Sequence, residues 1–149
     1  MPQFESHRRV HHSAEDMFAL VADMEKYPEF LPLCDALATH TRTERDGKTL
    51  LVSVMTVGYK AIRQTFTTQV VLDPAKQVID VRYIDGPFKF LNSRWRFEPA
   101  EGDVSCRVHF LIDYEFKSLL LGALMGSMFD RAFQKFAEAF EARADQIYS

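Results

Sequence analysis

Cysteine is scarce in this chain: Cys34 and Cys106 are the only two in 149 residues. Two thiols do not make the disulfide framework of a small secreted domain and suit a reduced compartment better. A cationic surplus is missing too. The net charge of −3 argues against a nucleic-acid partner in general and DNA in particular. No apolar run reaches the ~20 residues that span a bilayer, the greasiest being Leu119–Phe129. The polar start, Met1–Val10, holds no signal-peptide core, so a cytoplasmic protein is expected. The five histidines show no zinc-ligand spacing, and His11 and His12, adjacent on a strand, point to opposite faces. There is no phosphate-binding glycine loop and no nucleophile elbow. Metal, cofactor and catalytic residue are therefore all expected to be absent.

What the chain has in quantity is phenylalanine, 13 of them, which brings apolar area without a polar handle. Its length is that of a single domain, 1–149, with a substantial core. From Val104 to Phe116 the apolar residues alternate: Val104, Cys106, Val108, Phe110, Ile112, Tyr114, Phe116. Period two over this length predicts a strand with one buried face. After Ser118 the period becomes helical, with Met125, Phe129, Ala132, Phe136, Phe140 and Ile147 on one face. The first two turns of that helix, Leu119 to Gly126, are apolar on every side. They are expected either to lie deep in the domain or to meet something apolar that is not protein.

Upstream, Gln3–His12 reads as a first strand. Ser13 sits at an N-cap with Asp16 three residues on, ahead of a helix striped by Met17, Phe18, Leu20, Val21 and Met24. That helix stops before Pro28, and a short turn runs through Leu31. Strands are predicted at Ala36–Arg45 and Lys48–Gly58, joined at Asp46-Gly47, a strong hairpin signal. Further strands follow at Ala61–Leu72, Gln77–Ile84 and Phe90–Phe97, separated by Asp73-Pro74, Asp85-Gly86-Pro87 and Pro99–Gly102. Hairpin succession makes the sheet antiparallel. At ~1.5 Å per residue a final helix of roughly 28 residues is about 42 Å long. A ten-residue strand reaches only ~33 Å. The sheet must curl around the helix, so the expected class is α+β with a helix-grip fold, a curved antiparallel sheet of about seven strands. A space between sheet and helix is expected to be widest at the helix start.

Three motifs then carry a resemblance: the run from Tyr27-Pro28 to Leu33-Cys34, Asp85-Gly86-Pro87-Phe88, and Leu91 followed by Trp95-Arg96-Phe97. Together they resemble the bacterial and mitochondrial coenzyme-Q-binding proteins of the START-like, polyketide-cyclase-related superfamily. Leu33 stands where many relatives carry Trp. The resemblance implies a ubiquinone or lipid carrier supporting respiration, with no cofactor and no metal. A second branch, equally similar, is described as ribosome-association toxins, and these motifs do not separate the two. A cyclase-type enzyme is the remaining alternative, since it needs only a shaped pocket with one or two polar groups.

The expected ligand-binding set is Phe30, Leu33, Phe66, Ser93, Trp95, Tyr114, Leu121, Leu124, Met125, Met128 and Phe129. Tyr114, Trp95 and Ser93, with Arg63 more remote, are the candidates to hydrogen-bond a quinone carbonyl. Phe110, Phe129 and Phe136 read more readily as dry core than as pocket wall. Peripheral membrane contact is expected through the Phe30-Leu31 turn and Leu119–Leu121. For a ribosomal partner the candidate surface is one basic patch joining His7, Arg8, Arg9, His11 and His12 to Arg42, Arg45 and Lys48, provided the first two strands are sheet neighbours.

Overall fold

Alternation and turn chemistry assemble a single curved sheet around one helix. The computed structural model describes residues 3–59, 62–100 and 104–148. Its strands are β1 (Gln3–Val10), β2 (Cys34–Arg45), β3 (Lys48–Tyr59), β4 (Ile62–Asp73), β5 (Val78–Asp85), β6 (Phe88–Pro99) and β7 (Cys106–Phe116). All pairings are antiparallel, in the order β1-β7-β6-β5-β4-β3-β2. Helix α1 (Ala14–Ala22) and a 3-10 turn (Met24–Glu29) follow β1, and α2 (Leu119–Ile147) ends the chain. The fold is the α+β helix grip that the sequence predicts. Ala61, expected to open the fourth strand, and Gly102, expected in the last turn, lie outside the described residues.

Local chemistry explains the element ends. The Ser13 hydroxyl accepts from the Asp16 amide at 3.0 Å, capping α1. Asp46 and Gly47 adopt φ of 53° and 79°, the paired left-handed angles of a tight hairpin turn. Two expectations are corrected. Val104 is exposed and outside β7, because the partner strands run out where Cys106 meets Val10 and Pro99. β1 and β2 are opposite edges of the sheet, not neighbours, since β1 closes on β7. The proposed basic patch is thereby divided. Arg8, moreover, turns inward to Glu141 of α2 at 2.6 Å.

The concave face carries the core. Trp95 stacks on Phe110 at 4.2 Å and meets the edge of Phe140 at 5.1 Å. The two halves of α2 are held differently. Toward the C-terminus, Glu141 pairs with Arg8, Asp145 with the buried His12 at 2.6 Å, and Arg143 with Glu29 at 2.5 Å. Before Asp130 the helix has no charged side chain at all, and it is held by apolar contacts and by the Ser118 cap on the Leu121 amide.

Candidate functional site

Between the concave sheet face and the middle of α2 lies an apolar cavity of about 80 Å³. The sheet supplies Met55 and Val57 from β3, Phe66 and Thr68 from β4, Ile79 and Val81 from β5, Leu91, Ser93 and Trp95 from β6, and Phe110 and Ile112 from β7. Alternation places these side chains, each two residues from the next on one face. The helix supplies Phe129, Ala132, Phe133, Phe136 and Phe140, and the segment from Met24 to Cys34 closes one side. Polar atoms on the wall are few: the hydroxyls of Thr68 and Ser93, the Cys34 thiol and the Tyr27 phenol. The Tyr27 hydroxyl donates to the Val21 carbonyl, and burial holds the phenol above its usual range.

Of the expected ligand-binding residues, Leu33, Phe66, Ser93, Trp95 and Phe129 line this cavity. The others are placed elsewhere. Tyr114 is buried but donates to Asp130 at 2.5 Å, pinning β7 to α2; burial first, then that carboxylate, raise its pKa. Phe30 packs between Tyr27 and Phe140 under the Arg143 guanidinium, and Leu31 is buried, so that turn presents no apolar tip. Met125 is fully buried in the core, Leu121 and Met128 are half-buried, and Leu124 points outward. The cavity is therefore lower along α2 than expected, beginning at Phe129. Arg63 is tied to Asp35 at 2.9 Å across Gly58 and does not line it. Neither Gly122 nor Gly126 marks close packing. An added Cβ would meet only Phe116 at 3.8 Å at the first and nothing within 4 Å at the second.

Sequence reasoning missed Ala132, Phe133, Ile79, Leu91 and Ile112 as lining residues, and favoured dry core for Phe110, Phe129 and Phe136, all three of which line the cavity. The signal was the same stripe that identified α2, but a core stripe and a cavity stripe have one pattern. Leu33 carries a further feature, φ of 65°, a left-handed angle unusual for a bulky residue. Its carbonyl accepts from the Gly58 amide at 3.0 Å, which holds this lip of the cavity against β3.

Residues 10–141 match the family described as polyketide cyclase / dehydrase and lipid transport. The chain belongs to that family. Proteins similar to it include the ribosome association toxin RatA of Escherichia coli, 35% identical over 149 residues, covering 100% of this chain and 90% of RatA. The mitochondrial coenzyme Q-binding protein COQ10 of Drosophila melanogaster is 30% identical over 133 residues, covering 88% of this chain and 53% of COQ10. Among solved structures, a START superfamily protein from Mycobacterium smegmatis superposes with a TM-score of 0.79 at 23% identity, covering 97% and 98% of the two chains. That likeness shows the START fold. Among the described residues of this family member, no group of histidine, cysteine and carboxylate side chains could hold a metal. No described helix is long and apolar enough to cross a membrane.

Both cysteines are free and buried, and burial pushes each thiol up to about 11. The folded state thus keeps thiol protons that the unfolded chain releases above about pH 8.5. The corresponding stability is complete below that pH and is lost as pH rises toward the folded values. Urea midpoints are expected to fall between about pH 8 and about pH 10. An unchanged midpoint would contradict this placement of the thiols.

Proposed function

We propose that this protein binds and carries an apolar ligand, foremost a quinone, in the cavity between sheet and α2, without chemical turnover. The observation that carries the reading is the wall itself: aromatic and aliphatic side chains with two hydroxyls, a thiol and a phenol. Among the described residues no histidine or carboxylate lines it, and burial keeps the thiol and the phenol protonated. Such a wall supplies one or two hydrogen bonds to a carbonyl and little acid–base chemistry. Ser93 and Thr68 are the donors best suited to that task. The cavity is small beside the roughly 300–1,000 Å³ of ligand pockets. Uptake therefore requires α2 to give way, and its uncharged first turns, softened by Gly122 and Gly126, are the part least held.

The test uses Trp95, the only tryptophan and a wall residue. Titration with a short-chain ubiquinone is expected to quench it saturably, and solvent extraction of purified protein to release an apolar lipid unchanged on incubation. Absence of both would remove the reading, and a transformed ligand would replace the carrier with a cyclase.

One observation favours a second reading, ribosome association as in RatA. The convex face of β1, β7, β6 and β5 sets Arg9 opposite Arg107 and carries Arg96, Arg94 and Arg82 on the same side, with Glu98 and Asp80 among them. Arg94 is already engaged by Asp80 through two hydrogen bonds, which dilutes the stripe. Salt-sensitive co-sedimentation with large ribosomal subunits, lost in an Arg96→Glu, Arg107→Glu variant, would put this reading first.

A further inference from the structure

We propose that Ser53 and Thr68 form a hydroxyl fork that grips one carbonyl of a two-carbonyl ring, with Ser93 taking the other, an inference that rests on the ligand reading above. Ser53 is 1% exposed, and its hydroxyl has no hydrogen-bond partner among the described residues. The large majority of buried hydroxyls are paired, and one left unpaired costs stability that an alanine would not. Strand parity says where it points. On β3 it stands between Leu51 and Met55 on the concave face, and Met55 is cavity wall. Directly across the ladder is Thr68, buried and also wall. Side chains opposite one another on an antiparallel pair have Cβ atoms about 4.5–5.5 Å apart. Two hydroxyls so spaced suit a single carbonyl oxygen between them, since it offers two lone pairs.

The other wall hydroxyl narrows the class of ligand. Ser93 lies opposite Val81, Val81 opposite Val70, and Val70 is two residues along β4 from Thr68. Two strand spacings of ~4.8 Å and one two-residue step of ~6.8 Å put the Thr68 and Ser93 Cα atoms about 12 Å apart, with their side chains converging on the concave face. Each hydroxyl-to-carbonyl bond takes up ~2.8 Å of that span. The fit is to a ring with carbonyls on opposite sides, a para-quinone. Carbonyls on adjacent ring carbons cannot meet both ends, and a hydrocarbon of the same shape meets neither. A site built to hydrogen-bond its ligand discriminates against an analogue that leaves those groups unpaired.

Trp95 lies two residues from Ser93 on the same face, so its fluorescence reads the test. The probe is tetramethyl-para-benzoquinone, compared with its ortho isomer and with hexamethylbenzene, which has methyls in place of the carbonyls and is followed by equilibrium dialysis. The natural protein is expected to bind the para-quinone more tightly than the ortho isomer. Ser53→Ala is expected to weaken para-quinone binding roughly ten-fold, as the loss of one hydrogen bond does, and to leave hexamethylbenzene binding unchanged. Its urea midpoint should match or exceed that of the natural protein, because the change removes an unpaired group. Thr68→Val, which keeps the branched shape, should repeat the binding loss. Ser6→Ala removes another buried unpartnered hydroxyl, but one opposite Phe110 rather than a second hydroxyl, and should change no affinity. Undiminished para-quinone binding by Ser53→Ala overturns the inference and leaves the ligand reading standing. So does an equal loss of hexamethylbenzene binding, a lowered urea midpoint, or a natural protein indifferent to the two isomers. A natural protein that binds none of the three probes removes the ligand reading itself, and this inference with it.

Discussion

Ala132→Phe is expected to abolish quinone quenching of Trp95, weakening binding by roughly a hundred-fold or more, while leaving the fold in place. Ala132 is a buried residue on the cavity-facing side of α2, set among Phe129, Phe133 and Phe136. A ring added there projects into a space of about 80 Å³, occupying what a ligand would need. Filling an apolar void also gives its lining atoms new contacts, which offsets the ~1–3 kcal/mol that overpacking costs elsewhere. Thermal stability should therefore hold within a few degrees. Leu124→Phe, on the exposed face, is the matched control and should bind as before. If Ala132→Phe still quenches, the ligand is somewhere other than this cavity.

Phe140→Ala is expected to be the most damaging single truncation. Phe140 sits almost wholly buried with its ring 5.2 Å from Tyr27, 5.2 Å from Phe30 and 5.1 Å from Trp95. It joins the 3-10 turn, α2 and the sheet in one aromatic cluster. Removing a buried Phe costs about 3–5 kcal/mol through lost burial and the void left behind. For a domain near this size that lowers Tm by roughly 6–20 °C. Leu120→Ala, at the exposed start of the same helix, should stay within about 0.5 kcal/mol. A Phe140→Ala loss below about 1 kcal/mol by urea denaturation would mean the cluster relaxes onto the gap, contrary to its packing.

Parts of the fold were legible because local chemistry decides them. The alternation of β7 places Phe110, Ile112 and Tyr114 on the concave face whatever the neighbours are. Asp46-Gly47 makes its turn because an Asp-Gly pair accepts two left-handed residues in succession. Sheet order was not legible in the same way. Nothing in β1 names β7 as its partner across about a hundred residues of chain, and adjacency in sequence suggested β2 instead. The candidate site was legible by half. Trp95, Ser93 and Phe66 follow from strand parity, which has only two faces. A helix that is apolar all round gives no such choice, so the start of α2 read as a cavity wall. The structure turns Leu119, Leu120 and Leu124 outward and leaves the wall to the next three turns.

The narrowness of the cavity gives binding measurements a second meaning. For any cargo larger than about 80 Å³, the apparent Kd is the intrinsic Kd divided by the fraction of molecules already open. A substitution far from the wall that loosens the first turns of α2 then tightens apparent affinity without touching the ligand. One that stiffens them, such as Gly126→Ala, does the reverse. Affinity in this protein is set jointly by the chemistry of the wall and by how readily one end of a helix lets go of the sheet.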